Sequence, residues 1–388
     1  MDRSQFKAPF PGTLVAVVDA NGAPGHAFVP LVLPPKDIDL GRADLRLALS
    51  EADQHIARLD ALASQLEKPE DLFHSYVRRE AQLSSAIEGT HTTLAGLALA
   101  EASQKEQTSD EREVLNYVEA FSYGRTRVAE TSVGTTLFNE LHSILMRDAD
   151  TRVRPGQFRD CLVVLGRDLA TSRFVPPPEY EVGPLIDNLQ HYLKTEREAA
   201  LVKLAIAHYQ FETIHPYRDG NGRLGRMMIS LWLQEQRILS APVLYISAYF
   251  ERYRHEYYDA LFNVSATGAW EEWILFFLRG VAQQARDATQ RMRRLVALRH
   301  EYHRRVSGPR ASHGLIQLID DLFIIPACSV PGASRVLNVS YNAARESVRK
   351  LETAGILARS EPYAGKNYWV AAEIIRTLDE PLIDESAH

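Results

Sequence analysis

The residue types best able to do chemistry in this chain fall together between Ile214 and Arg226: His215, Pro216, Tyr217, Arg218, Asp219, Gly220, Asn221, Gly222, Arg223, Leu224, Gly225 and Arg226. The combination suits a polyphosphate. Gly220 and Gly222 flank Asn221 and would let the backbone approach phosphate oxygens with no Cβ in the way. Arg223 and Arg226, three residues apart, can turn two guanidinium forks to one ligand. Asp219 is placed to hold a divalent cation, because Mg²⁺ usually takes one or two carboxylates together with phosphate oxygens. His215, on the other side of the loop, is the natural general base for an incoming hydroxyl.

These side chains need two helices to position them. Leu201, Leu204, Ala205 and His208 keep helical spacing while Val202, Ile206 and Tyr209 cover a second face, which predicts a buried helix ended by Pro216. Leu224, Met227, Met228 and Leu231 restart the period. The glycine loop therefore sits at a helix N-terminus, where backbone N–H groups without intrahelical partners and the macrodipole both favour an anion.

The stretch from His215 to Arg226 resembles the signature of the Fic domain proteins: His, any, Phe, any, Asp or Glu, Gly, Asn, Gly, Arg, any two, Arg. The chain matches at His215, Asp219, Gly220, Asn221, Gly222, Arg223 and Arg226, and Tyr217 replaces the usual Phe. The resemblance implies a mostly α fold, a Fic-type helical core with a β-hairpin flap. It implies transfer of AMP from ATP to a hydroxyl of Tyr, Thr or Ser on a target protein, and on the chain itself. His215 would then be catalytic, Asp219 would bind Mg²⁺, and Gly220, Asn221, Gly222, Arg223 and Arg226 would hold the ATP phosphates. Relatives that transfer phosphate carry a changed glycine pattern, which this loop lacks.

The same resemblance assigns three further groups. Ser84, Glu88 and Gly89 fit an inhibitory pattern in which the glutamate pairs with the second signature arginine, here Arg226. From the residues alone, Glu88 is a carboxylate at a helix end that disfavours it. Leu162–Leu165 and Arg173–Val175 read as two short strands joined by a turn. By resemblance this is the target-docking flap, with Phe174 and Val175 aligning the target through main-chain hydrogen bonds. Tyr249, Tyr257 and Asn263 are expected adenosine contacts by analogy, although an aromatic stripe at helical spacing is by itself a core signal.

The remaining chain fits a soluble, cytoplasmic enzyme. Its 388 residues are 45% hydrophobic with a formal net charge of −6, enough apolar content for real cores and no overall nucleic-acid signature. Cys161 and Cys328 form neither a zinc pattern nor a disulfide framework. No export signal or membrane span is read. Residues 1–40 look like an extended arm punctuated by Pro and Gly. Helices are expected near 45–66 and 71–87, around Val114–Phe121 and Leu137–Leu145, and from Trp270 to about Arg305. His142 reads as packed rather than catalytic. After residue 307 the pattern is helix, helix, helix and two strands, with Ser340 capping the third helix, and it resembles a winged-helix domain. The expected domains are 1–109 with the inhibitory segment, 110–306 as catalytic core and 307–388 as winged helix.

Two alternatives stay open. One is a bifunctional enzyme that also removes AMP. The other is a nucleotide-sensing transcription regulator or interaction module acting through the winged helix. Gly308–Ile375 carries seven Lys and Arg against six Asp and Glu, a weak phosphate footprint, so DNA and a homodimer are left open as partners beside the protein substrate.

Overall fold

The computed structural model describes residues 1, 3–8, 10–19, 22–36, 38–66, 69–103, 107–195, 198–307 and 313–380. A pair of strands, β1 (Gly12–Val18) and β2 (Pro24–Pro30), comes first. Helices follow: α1 (Ala43–Ala63), α2 (Pro69–Ile87), α3 (Leu94–Ser103), α4 (Ser109–Arg127), α5 (Thr135–Leu145) and α6 (Glu179–Thr195). Then come α7 (Ala200–Ile214), α8 (Asn221–Glu235), α9 (Ser247–Arg252), α10 (Arg254–Thr267), α11 (Trp270–Val306) and α12 (His313–Ile324). The chain continues through β3 (Ala327–Cys328), α13 (Val330–Leu337), α14 (Tyr341–Thr353), β4 (Ala358–Arg359), β5 (Trp369–Val370) and α15 (Ala372–Asp379). By compactness the residues fall into two units, 1–58 with 119–285, and 59–118 with 286–388.

The first unit is built around α7 and α8. Every residue of α7 from Leu201 to Phe211 is buried, and α8 is buried from Arg223 to Leu233. Apolar residues on all sides make a central helix rather than a surface one. The two helices meet at Gly225, where a Cβ would lie 2.3 Å from Glu212 Oε1 and 3.1 Å from Phe211 Cδ1. Any larger residue there would have to displace the Glu212 carboxylate.

The N-terminal arm differs from its expected extended form. It folds back as a β1–β2 hairpin in register from Gly12↔Pro30 to Val18↔Pro24, with Asp19 Oδ1 accepting from Ala23 N at 2.8 Å across the turn. Its inner face joins an apolar cluster of Phe6, Phe28, Leu169, Val175 and Phe262. Gly12, Pro24 and Pro30 sit at strand ends, and apart from Met1, Phe6 and Phe10 the partners that bury the hairpin lie more than a hundred residues away. The expected strands at 162–175 are reduced to one bridge, Leu165↔Phe174. Ser172 turns back on Asp168, its Oγ donating to Asp168 O at 2.5 Å, and Val175 O accepts from Phe28 N at 2.9 Å. The segment is thus held by packing and by β2 more than by its own ladder.

In the second unit, Ser75 Oγ of α2 donates to Phe323 O at 2.7 Å and Tyr76 OH to Ala288 O at 3.1 Å. Buried Arg291 pairs with Asp287 at 2.7 Å and donates to the carbonyls of Thr377, Leu378 and Glu380, capping the end of α15. A three-stranded antiparallel sheet has the order β3–β5–β4. Its β4 begins only at Ala358, because Ile356 N and Leu357 N turn back to Leu351 O at the end of α14. Gly355 makes that turn at φ +68°.

Candidate active site

The sequence from α7 to α8 forms a closed loop whose two ends are both left-handed. His215 ends α7 at φ 51°, ψ 62°, its N–H bonded to Phe211 O at 3.0 Å. Gly220 precedes α8 at φ 79°, ψ 2°. A left-handed histidine is uncommon and persists only where its surroundings fix it. Pro216 follows, and its fixed φ and missing N–H stop the helix at that point.

Inside the loop, Asn221 spends its carboxamide on the chain. Its Oδ1 accepts from Tyr217 N at 2.8 Å and its Nδ2 donates to Tyr217 O at 2.9 Å. Tyr217 is fully buried, and its hydroxyl donates to Asn139 Oδ1 at 2.7 Å. The hydroxyl absent from the Phe of the usual signature therefore has a partner here, which explains why the replacement is tolerated.

His142 lies flat beneath Tyr217, ring centroids 3.8 Å apart and 11° from parallel. Gly156 N donates to its Nδ1 at 2.9 Å, so the proton sits on Nε2, which donates to Asp219 O at 3.1 Å. Burial pulls its pKa down to about 4, keeping it neutral in that tautomer near pH 7. A second histidine, His208, is buried behind the loop. Its Nε2 is 2.9 Å from Tyr257 OH and its Nδ1 3.2 Å from Gly225 O. Burial, followed by the charge of Arg226, lowers its pKa to about 3. Both are structural supports.

The loop's charged groups divide by burial. Arg223 and Arg226 are 3% and 1% exposed. Asp219 has its side chain 60% exposed; Oδ1 accepts from Gly220 N at 2.5 Å and lies 3.4 Å from Arg223 Nη2. His215 is partly exposed, with Nδ1 3.3 Å from Glu212 O. Gly222 is the second residue of α8, beside Asn221. A partly exposed histidine, an open carboxylate and two buried guanidinium groups thus line the loop from the end of α7 to the first turns of α8.

Other expected site residues lie elsewhere. Val175 is fully buried, and Phe174 is half-buried with its ring 5.7 Å from that of Phe28. Tyr249 and Tyr257 are buried in an aromatic group with Phe250, the Tyr257 hydroxyl facing His208, while Asn263 is exposed and its carbonyl accepts from Thr267 Oγ1 at 2.8 Å. In the second unit Ser84 is buried and α2 ends at Ile87. Glu88 and Gly89 lie in the turn beyond, with Gly89 at φ +96° and Thr90 N closing on Ser85 O at 3.0 Å.

One residue had no signal in the sequence. Arg159 is 4% exposed, and its guanidinium donates to His215 O at 2.8 Å, Cys161 O at 3.0 Å, Pro177 O at 2.5 Å and Ile214 O at 3.2 Å. It follows a turn and belongs to no periodic element, so only the tertiary contacts reveal it.

With this geometry in place, two regions of the chain match family models. Residues 46–126 match the Fic/DOC family N-terminal region and residues 133–233 the Fic/DOC family itself. The chain thus carries a Fic/DOC region together with the N-terminal region that accompanies it. A Fic family protein of Desulfovibrio desulfuricans G20 aligns over 87% of this chain and 98% of its own, with TM-score 0.58 and 22% identity. A Caenorhabditis elegans Fic-1 fragment aligns over 66% of this chain and 74% of its own, with TM-score 0.51 and 19% identity. At those identities the likeness concerns the fold, and it agrees with the mostly helical architecture. Among curated proteins, a probable protein adenylyltransferase of Aquifex aeolicus is 34% identical over 110 residues, 28% of this chain and 30% of its own length. A protein adenylyltransferase Fic of Culex quinquefasciatus is 26% identical over 220 residues, 54% of this chain and 40% of its own. The chain thus spans well under half the length of these two relatives. Among the described residues no helix is long and apolar enough to cross a membrane.

Proposed function

We propose that this Fic/DOC chain is a protein adenylyltransferase. The observation that carries the reading is the closed loop that sets His215 at the end of α7 and an N-terminus without a side-chain cap at the start of α8. The first N–H groups of α8, with Arg223 and Arg226, suit the phosphates of ATP. The hydroxyl of a target protein approaches the α-phosphorus, and His215 takes its proton. A bond forms from the target oxygen to phosphorus, the bond to the bridging oxygen breaks, and pyrophosphate leaves. Pairing of the target with the segment around Phe174 and Val175, and contacts of Tyr249, Tyr257 and Asn263 with adenosine, belong to the same reading.

The donor set fits Mg²⁺. Asp219 offers an exposed hard oxygen, and phosphate oxygens would complete the shell. When bound, the ion would neutralise charge on the phosphates. The chain's own part is to hold Asp219, through His142 beneath its carbonyl and Gly220 N on its carboxylate.

Glu88 is the proposed brake, acting on Arg226. The buried Ser84 and the turn at Gly89 support that motif reading. The order α12–β3–α13–α14–β4–β5 supports reading residues 307–388 as a winged helix, behind an inhibitory segment in 1–109 and a catalytic core in 110–306. The test is self-labelling by α-labelled ATP and Mg²⁺. Wild type should label weakly, Glu88→Gly strongly, and Glu88→Gly with His215→Ala about 10²–10⁴-fold less, the range of a lost general base. Undiminished labelling in the double variant removes His215 as base, and equal labelling of wild type and Glu88→Gly removes the brake.

A further inference from the structure

The histidine that would act as base is held in a conformation it does not favour, and the group that holds it comes from outside the signature. The carbonyl of His215 and that of Ile214, the last residues of α7, have no acceptor role inside the helix. Both point at Arg159, whose Nε and Nη2 donate to them. The backbone of Arg159 adds a bond to the next residue, its N–H reaching Pro216 O at 2.9 Å. Three consecutive carbonyls, at 214, 215 and 216, are therefore fixed by one residue.

The other side of the guanidinium holds the segment assigned to target docking. Nη1 donates to Cys161 O, immediately before Leu162, and Nη2 to Pro177 O, just after Val175. These positions are the two ends of the hairpin. All the hydrogen bonds of this buried cation among the described residues go to neutral backbone carbonyls. The fork of five N–H donors is what allows one side chain to serve acceptors in several directions. Burying a cation without a hydrogen-bonded carboxylate is costly, and burial pulls the pKa of Arg159 down to about 10. A position kept only for packing would be served by an apolar residue at lower cost.

A second contact runs the opposite way. Arg218, inside the signature loop, donates to Arg152 O at 2.8 Å and to Cys161 Sγ at 2.9 and 3.1 Å. It is exposed and touches neither His215 nor Pro177, so it ties the loop to the same segment without setting the base.

We propose that Arg159 is the positioning residue that locks His215 and both ends of the hairpin into one frame, so that the target hydroxyl meets the base in register. This rests on the adenylyltransferase reading above. Among the described residues none of the hydrogen bonds of Arg159 goes to α8, so the proposal leaves the phosphate site as it is. Loss of the fork should therefore lower the rate of transfer and spare the binding of ATP, a split that a general folding role would not produce.

The experiment uses the full chain carrying Glu88→Gly and measures self-labelling rate against the concentration of α-labelled ATP, with ATP binding followed separately by calorimetry. Arg159→Met should lower the maximal rate at least about tenfold, with half-saturating ATP and the measured ATP affinity within about twofold of the parent. Arg159→Lys keeps the charge, loses the fork and should recover only part of the rate. An unchanged maximal rate in Arg159→Met overturns the proposal. So does a loss of ATP affinity that parallels the loss of rate, which would make Arg159 a residue of loop folding. If Arg159→Met does not fold, Arg159→Lys decides by the same split, and failure of both to bind ATP also overturns it. Absence of His215-dependent labelling in the parent instead defeats the adenylyltransferase reading, and the proposal falls with it.

Discussion

Two helices, one in each unit, start in opposite ways. At α14, Ser340 is extended at φ −61°, ψ 156°, and its hydroxyl accepts from Ala343 N at 3.4 Å. The chain supplies its own cap, and the helix needs nothing from outside. At α8 the preceding residue is Gly220 in the left-handed region, with no side-chain cap. A good capping side chain is adjacent, yet Asn221 turns its carboxamide to both backbone groups of Tyr217. The cap chemistry has been moved from the helix to the loop. At α8 the side chain that could have capped the helix stabilises the preceding loop instead, and the helix start has no side-chain cap.

Removing Asn221 should break this arrangement most severely. Asn221→Ala strands the buried Tyr217 N–H as well as its carbonyl, at a cost of about 1–3 kcal/mol for an unsatisfied buried group. Thermal unfolding should shift down and ATP affinity should fall with it; unchanged values would show that the loop closes without the carboxamide. Gly220→Ala should come next. An L-residue at φ +79° costs about 1–2 kcal/mol, and its Cβ would stand 2.8 Å from Met146 Sδ, a flexible atom able to give way. The expected result is weaker ATP binding with a smaller loss of stability than in Asn221→Ala. Ser340→Ala is the mildest change, about 0.5–1 kcal/mol from a long cap bond, with no effect on ATP binding. A large effect of Ser340→Ala on nucleotide binding would sink the contrast between the two helix starts.

Much of the site was legible because it is local. His215, Pro216 and the glycines lie within one turn of two helices whose apolar spacing is plain, and short-range geometry carries the loop. Ser340 declared its helix for the same reason, since a cap bonds only three residues on. The arm at 12–30 was misjudged because the residues that bury its inner face come from 162–175 and α10, and no local pattern says which face of a strand will be covered. The hairpin at 162–175 was overdrawn for the converse reason. Its apolar residues satisfy a strand pattern, but packing on Phe28 replaces most of the ladder. Arg159 sits in a Pro- and Gly-rich connection with no period to read.

By itself the sequence determined the helices, the helix ends and the identity of the loop that joins α7 to α8, because these depend on residues within about four positions of one another. Only the tertiary structure decided how that loop is held: His142 under Tyr217, His208 behind Arg226, and Arg159 across the carbonyls of 214 and 215. Such partners are between 17 and 77 residues from the groups they fix, as the separations of 17 for His208 to Gly225, 55 for Arg159 to Ile214 and 77 for His142 to Asp219 illustrate. A hydrogen bond of that reach leaves no spacing rule in the sequence, because it is the packing of α7 against α8 and the folding of the intervening chain that bring the two ends together.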